Sequence, residues 1–97
     1  MRCYDRDGEP MDILDPRLVD RNYKRIDETH LEDGKWISTV WLGIDHRYGD
    51  GPPLIFETMV FTADGEWGEL DMQRYSTEEA ARAGHVEMVA KWTEATA

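Results

Sequence analysis

Apolar side chains recur at every second position, on both phases, through two stretches in the middle of the chain. Residues 35–44 read KWISTVWLGI and residues 54–61 read LIFETMVF, with the loop DHRYGDGPP between them. Both runs are rich in β-branched and aromatic residues and suit strands better than helices. In the first, Trp36, Ser38, Val40, Leu42 and Ile44 point one way, and Ile37, Thr39, Trp41 and Gly43 the other. In the second, Leu54, Phe56, Thr58 and Val60 alternate with Ile55, Glu57, Met59 and Phe61. Because strand side chains alternate with period two, both faces of this pair carry apolar groups. The pair is therefore expected at the centre of a sheet, with a helix on one face and another cover on the second.

The flanks supply the remaining elements. Asp7-Gly8 and Glu9-Pro10 predict a turn after a short strand at Cys3–Tyr4. Asp15 before Pro16 predicts a helix start, with Leu14, Leu18 and Val19 as its apolar stripe and Asn22 as its stop. From Tyr23 to Leu31 the chain turns extended but carries many charges, which suits an edge strand. Asp33-Gly34 reads as a two-residue hairpin turn into Lys35. After Ala63–Glu66, a fourth strand is expected over Trp67–Tyr75, with Leu70, Met72 and Arg74 on one side. Ser76 and Glu79 have capping-box spacing, and a helix follows to about Trp92. Ala81, His85, Met88 and Trp92 form its stripe, widened by Val86, Val89 and Ala90. Gly84 inside that helix marks a close approach or a weak point. The fold class is thus α+β: one domain over residues 1–97, a four-stranded antiparallel meander packed on a C-terminal helix, with a short N-terminal helical segment.

Composition changes this picture in two ways. The chain has 97 residues and a formal charge of −10, from 21 acidic and 11 basic residues. Residues 1–34 contribute −4 (ten acids, six bases), residues 35–62 contribute −1 (three, two) and residues 63–97 contribute −5 (eight, three). The acidity sits on the flanks and the predicted sheet centre is nearly neutral. Direct nucleic-acid binding through a basic footprint is disfavoured, since few cations are present to replace phosphate counterions. The single Cys3 leaves no internal disulfide framework and fits a reducing compartment. MRCYDRDGEP has no apolar leader run and no stretch approaches a membrane span, so a cytoplasmic protein is expected.

Candidate chemistry is sparse. The D-x-D-G string at Asp5–Gly8 lacks the further ligands of a calcium loop. Cys3, His30, His46 and His85 have no paired spacing for zinc. Ser38, Ser76 and Cys3 lack a nucleophile-elbow context, and Gly43, Gly49 and Gly51 are too irregular for a phosphate loop. No catalytic residue, metal or cofactor is assigned. The polar interruptions are Asp45-His46 at the end of the first strand, Glu57 in the second and His85 on the helix stripe. His85 paired with Glu57 has general-base chemistry, or forms an internal polar pair. An alternative ties Glu57 to the edge through Arg25 or Tyr23. The loop Asp45–Pro53 sets His46, Arg47 and Tyr48 among glycines and prolines, and arginine and tyrosine make good contact residues. Candidate binding residues are therefore Trp41, Asp45, His46, Arg47, Tyr48, Glu57 and His85.

STVWLGIDH, GPPLIFETMVF and RYSTEEAARAGH together resemble a group of small uncharacterised proteins carried by bacteriophages and prophages of actinobacteria. The corresponding pieces are Asp5–Pro10, Trp41–His46, Pro52–Met59 and Tyr75–His85, which span most of the chain. Here Glu78-Glu79 runs straight into Ala80, a slightly shorter acidic start than the group's. The resemblance implies a phage-encoded intracellular accessory protein and supplies no catalytic roles.

The leading expectation is a non-enzymatic factor that binds a host or phage protein. A small hydrolase or metal-dependent enzyme using His46, Glu57 or His85 is one alternative, and a nucleic-acid mimic occupying a basic groove is another. Trp36, Trp41, Trp67 and Trp92 exceed what one sheet and one helix cover, which points to an interface. If odd positions pair with odd, Ile37, Trp41, Ile55, Met59 and Phe61 share one face, and Val40, Leu42, Phe56 and Val60 the other. A homodimer would cover the face left by the helix, unless Leu14, Leu18 and Val19 fold across it.

Overall fold

The computed structural model describes residues 2–64 and 68–94. Its centre is an antiparallel pair, β4 (Trp36–Trp41) and β5 (Phe56–Phe61), flanked by β3 (Arg25–His30) and β6 (Glu69–Tyr75) in the order β3-β4-β5-β6. A second, two-stranded sheet joins β1 (Cys3–Tyr4) to β2 (Pro10–Met11). Helical turns lie at Pro16–Val19 and at α1 (Arg21–Lys24), and α2 runs from Glu78 to Glu94. The α+β meander with a C-terminal helix is as the pattern predicts. Of the fourth strand's expected span, Trp67 lies outside the described residues.

The register differs from the odd-with-odd expectation. Trp36 faces Phe61, Ile37 faces Val60, Thr39 faces Thr58 and Trp41 faces Phe56, so odd positions pair with even. Cross-strand partners share a face. Ile37, Thr39 and Trp41 thus join Phe56, Thr58 and Val60 on an inner face, where all six are fully buried. Trp36, Ser38, Val40, Glu57, Met59 and Phe61 share the outer face. The strands also end earlier than the apolar runs do. Gly43, at φ +81, turns the chain out of β4, so that Ile44 bridges Cys3 instead of continuing the ladder.

Helix α2 packs across all four strands on the inner face. Ala81, His85 and Met88 are buried beneath it, Trp92 is half-buried, and Val86 is exposed rather than part of the stripe. Its cap is Thr77, one residue later than expected, whose hydroxyl accepts from the Ala80 amide at 3.1 Å. The N-terminal segment covers the same face beyond the helix start. Trp41 donates its indole N–H to the Tyr4 carbonyl at 2.9 Å and packs edge-on to Tyr23. Arg6 clamps Glu78 at the start of α2 with Nε and Nη2, at 2.7 and 2.8 Å. Asp15 caps its turn as predicted, but Leu14 and Val19 are exposed and only Leu18 reaches the core. The N-terminal stripe therefore does not cover the second face.

Turn chemistry explains the hairpins. Asp5 accepts the amides of Asp7 and Glu9, which fixes the β1–β2 turn. Between β3 and β4, Leu31 bonds Lys35 and Gly34 bonds back to Leu31, with Gly34 at φ +93. That is a three-residue loop closed by a left-handed glycine, longer than the two-residue turn that Asp33-Gly34 suggests. Both free edges of the sheet are blunted alike. Asp27 takes the amide of Glu28 at 2.8 Å on β3, and Asp71 takes the amide of Met72 at 2.9 Å on β6. An amide held by its neighbour's carboxylate is a poor template for a foreign strand.

Gly84 is a close approach: a Cβ there would land inside the Tyr75 ring. Gly84→Ala gains about 1 kcal/mol of helix propensity but overpacks the interface by about 1–3 kcal/mol. We expect a net loss in denaturant unfolding, and a net gain when the same change is made in a Tyr75→Ala background.

Candidate functional site

The candidate residues divide between the two faces of the sheet. On the inner face, Thr29, Thr39 and Thr58 rise from three adjacent strands beneath His85. Thr39 Oγ1 lies 2.7 Å from His85 Nδ1 and 2.5 Å from Thr58 Oγ1, and Thr29 Oγ1 lies 2.8 Å from His85 Nε2. A neutral imidazole satisfies both nitrogens in either tautomer, donating to one threonine hydroxyl and accepting from the other, while Thr39 bonds Thr58 and Thr58 bonds the Tyr75 hydroxyl. Burial holds the His85 pKa below its ordinary value, opposed by Asp27 at 3.9 Å. With only 2% of its surface exposed and both nitrogens bonded, His85 is sealed against substrate. Trp41 is likewise fully buried and is a core residue, not a contact residue.

The expected His85–Glu57 pair does not form, because the observed register puts Glu57 on the outer face. There Glu57 is buried and takes Arg74 Nε of β6 at 3.0 Å, not Arg25 or Tyr23. Arg74 leads to the loop. Asp45, His46, Arg47 and Tyr48 join Arg74 around a hollow of about 350 Å³ at the end of the sheet. Asp45 shapes this loop by accepting the amides of Arg47 and Leu54 at 2.8 and 2.9 Å, and these bonds lower its pKa. Arg47 Nε donates to the Pro52 carbonyl at 2.5 Å. Tyr48 is almost wholly exposed. The structure thus gathers Asp45, His46, Arg47 and Tyr48, connects Glu57 to them through Arg74, and places Trp41 and His85 on the far side.

Several site residues carry no motif. Trp36 stacks between His30 and Phe61, making an aromatic row across three strands of the outer face. Among the described residues its indole N–H is buried without an acceptor. A second hollow, of about 250 Å³, is lined by Arg21, Lys24, Arg25, Glu28, Trp36, Ser38 and Val40. Leu70 and Met72 complete the surface at 39% and 40% exposure. Arg74 was within reach of the sequence, since an isolated acid inside an apolar strand calls for a cation on the next one. Arg21, Lys24 and Arg25 were not, because nothing local places them beside Trp36. A hollow between β6 and α2 has its Asp71 already taken by Lys91 and Trp92. Among the described residues, no three His, Cys, Asp or Glu side chains are grouped to hold a metal ion, and no helix is long and apolar enough to cross a membrane.

Compared with known proteins, the chain matches no family model, no curated protein and no solved structure.

The buried histidine makes stability depend on pH in a definable window. The unfolded chain protonates His85 near pH 6.5, about the ordinary histidine value, whereas the folded chain does so only at lower pH. Stability therefore falls as pH drops below about 6.5, until the folded value is reached. The lowered carboxylates Asp15, Asp33, Asp45, Asp71 and Glu78 act in a separate window, stabilising above about pH 4 and losing that contribution below it. Melting temperature should decline between about pH 6.5 and 5 in the native protein. In His85→Gln it should start lower and stay level over that interval.

Proposed function

We propose that this chain is a non-catalytic binding protein, encoded by an actinobacterial phage or prophage, that docks on a host or phage protein in the host cytoplasm. The observation that carries the reading is one-sided cover. Helix α2 and the N-terminal hairpin both lie on the inner face, and the outer face of Trp36, Val40, Met59, Phe61, Leu70 and Met72 has only Arg21 and Lys24 of α1 at its β3 edge. A continuous apolar surface rimmed by polar groups is the usual form of an interaction site. The capped edges of β3 and β6 favour docking on the face over addition of a strand. The resemblance to small phage proteins supports the origin.

The enzyme reading has less support, because His85 is sealed on the opposite face from His46 and Glu57. The mimic reading is weakened by how the acids are used. Asp15, Asp33, Glu57, Asp71 and Glu78 are spent on the chain's own cations. Asp5 and Asp20 are spent on backbone amides. A second copy is the remaining occupant of the outer face.

Leu70→Glu with Met72→Glu tests the reading on two side chains already in solvent. The double variant should keep its melting temperature within a few degrees yet lose the specific partner that the native protein captures from host lysate. Retention of that partner would sink the outer face as the docking site. A doubled mass in light scattering that returns to monomer in the variant would instead assign the face to a second copy.

A further inference from the structure

The charge around the outer face specifies what fits it. Six cations are neutralised by the chain's own acids: Arg6 and Arg82 by Glu78, Arg17 by Asp15, Lys35 by Asp33, Arg74 by Glu57 and Lys91 by Asp71. Arg21, Lys24, Arg25 and Arg47 make no salt bridge with any described residue; nor does Arg2, which lies by the N-terminal hairpin. Arg21, Lys24 and Arg25 line the hollow beside Trp36 and Val40, where Glu28 is the one carboxylate. Arg47 lines the hollow at the other side of the sheet end with His46, Arg74 and one carboxylate, Asp45, which is held by the Arg47 and Leu54 amides. Arg74 uses Nε on Glu57, and its Nη atoms bond no described residue. On a chain of net charge −10, cations that make no salt bridge with a described residue thus flank one apolar surface on both sides.

We infer that the outer face receives an acidic, apolar segment of a partner protein, its apolar side chains on Val40, Met59 and Met72 and its carboxylates at Arg25 and at Arg47–Arg74. The inference rests on the docking reading above and adds the chemistry of the occupant. Free arginines that border an apolar patch gain carboxylate hydrogen bonds as water leaves, and they reject basic partners. The same rim disfavours self-docking. A two-fold axis along the strands that stacks two outer faces lays β3 on β6, with Arg25 toward Arg74. A host protein bearing an acidic-apolar segment avoids that approach of cations, and the cations also orient it.

Two fluorescein-labelled peptides of about ten residues test this on the full chain, one alternating leucine with glutamate and the other leucine with lysine. The glutamate probe should bind, weaken as salt is raised, and lose at least about tenfold in affinity to Arg25→Glu with Arg47→Glu. Both replaced arginines are free of salt bridges, so that variant should stay folded, which its melting temperature checks. The lysine probe should not bind the native chain. No binding of the glutamate probe, equal binding of both probes, indifference to the arginine changes, or a doubled mass in light scattering would each overturn the inference. The captured partner separates this failure from failure of the docking reading. If capture is lost in Leu70→Glu/Met72→Glu but kept in Arg25→Glu/Arg47→Glu, the face docks a partner of other chemistry. If both variants keep it, the face is not the docking site.

Discussion

Six consecutive pairs between β4 and β5, from Trp36 opposite Phe61 to Trp41 opposite Phe56, decide which side chains meet and which stay apart. A slip of one residue would carry every side chain of one strand to the other face. In the observed register all the large, fully buried groups of both strands fall on one side, and Glu57 falls on the other with Arg74. The inner face is then apolar enough to seat α2 and the N-terminal hairpin, and both go there. Uncovered apolar area on the outer face follows from the same pairing.

The inner face is nevertheless not uniformly apolar. Its middle row is Thr39, Thr58 and His85, set between one cluster around Trp41 and Phe56 and another around Ile37 and Val60. A buried hydroxyl or imidazole without a partner costs about 1–3 kcal/mol, so a helix shifted by one turn would strand several donors at once. The threonine row therefore works as a registration mark for α2. It makes one placement of the helix much better than its neighbours, which an all-aliphatic surface would not do.

Most of the architecture was legible in the chain because it rests on local signals: alternation in the two central runs, aspartate-glycine turns, and the Ala81–His85–Met88–Trp92 spacing. The misplacement of Glu57 has one physical origin. Register between β4 and β5 is set across a long loop, and Gly43 leaves the strand through a left-handed conformation that alternation does not reveal. The wrong parity then misassigned Glu57 and joined it to His85. Thr77 replaced Ser76 as the cap, one residue beyond the capping-box spacing, although β6 ends at Tyr75 as expected. For the candidate site, Asp45, His46, Arg47 and Tyr48 were found because the loop is compositionally distinct. Arg21, Lys24 and Arg25 were missed because their importance comes from where α1 docks, a tertiary fact with no sequence signature.

The position of α2 at the late end of the chain bears on how the protein is made. Strands β3 to β6 follow one another in sequence and can pair in the order in which they are synthesised, with no crossover between them. Yet Ile37, Val60 and the threonine row have no cover until α2 exists. A nascent chain that has completed the meander therefore presents two apolar faces rather than one, and gains its lasting structure only once the helix has been translated. During that interval the aspartates on the outer strands, already in place, are what separates a waiting sheet from an aggregating one.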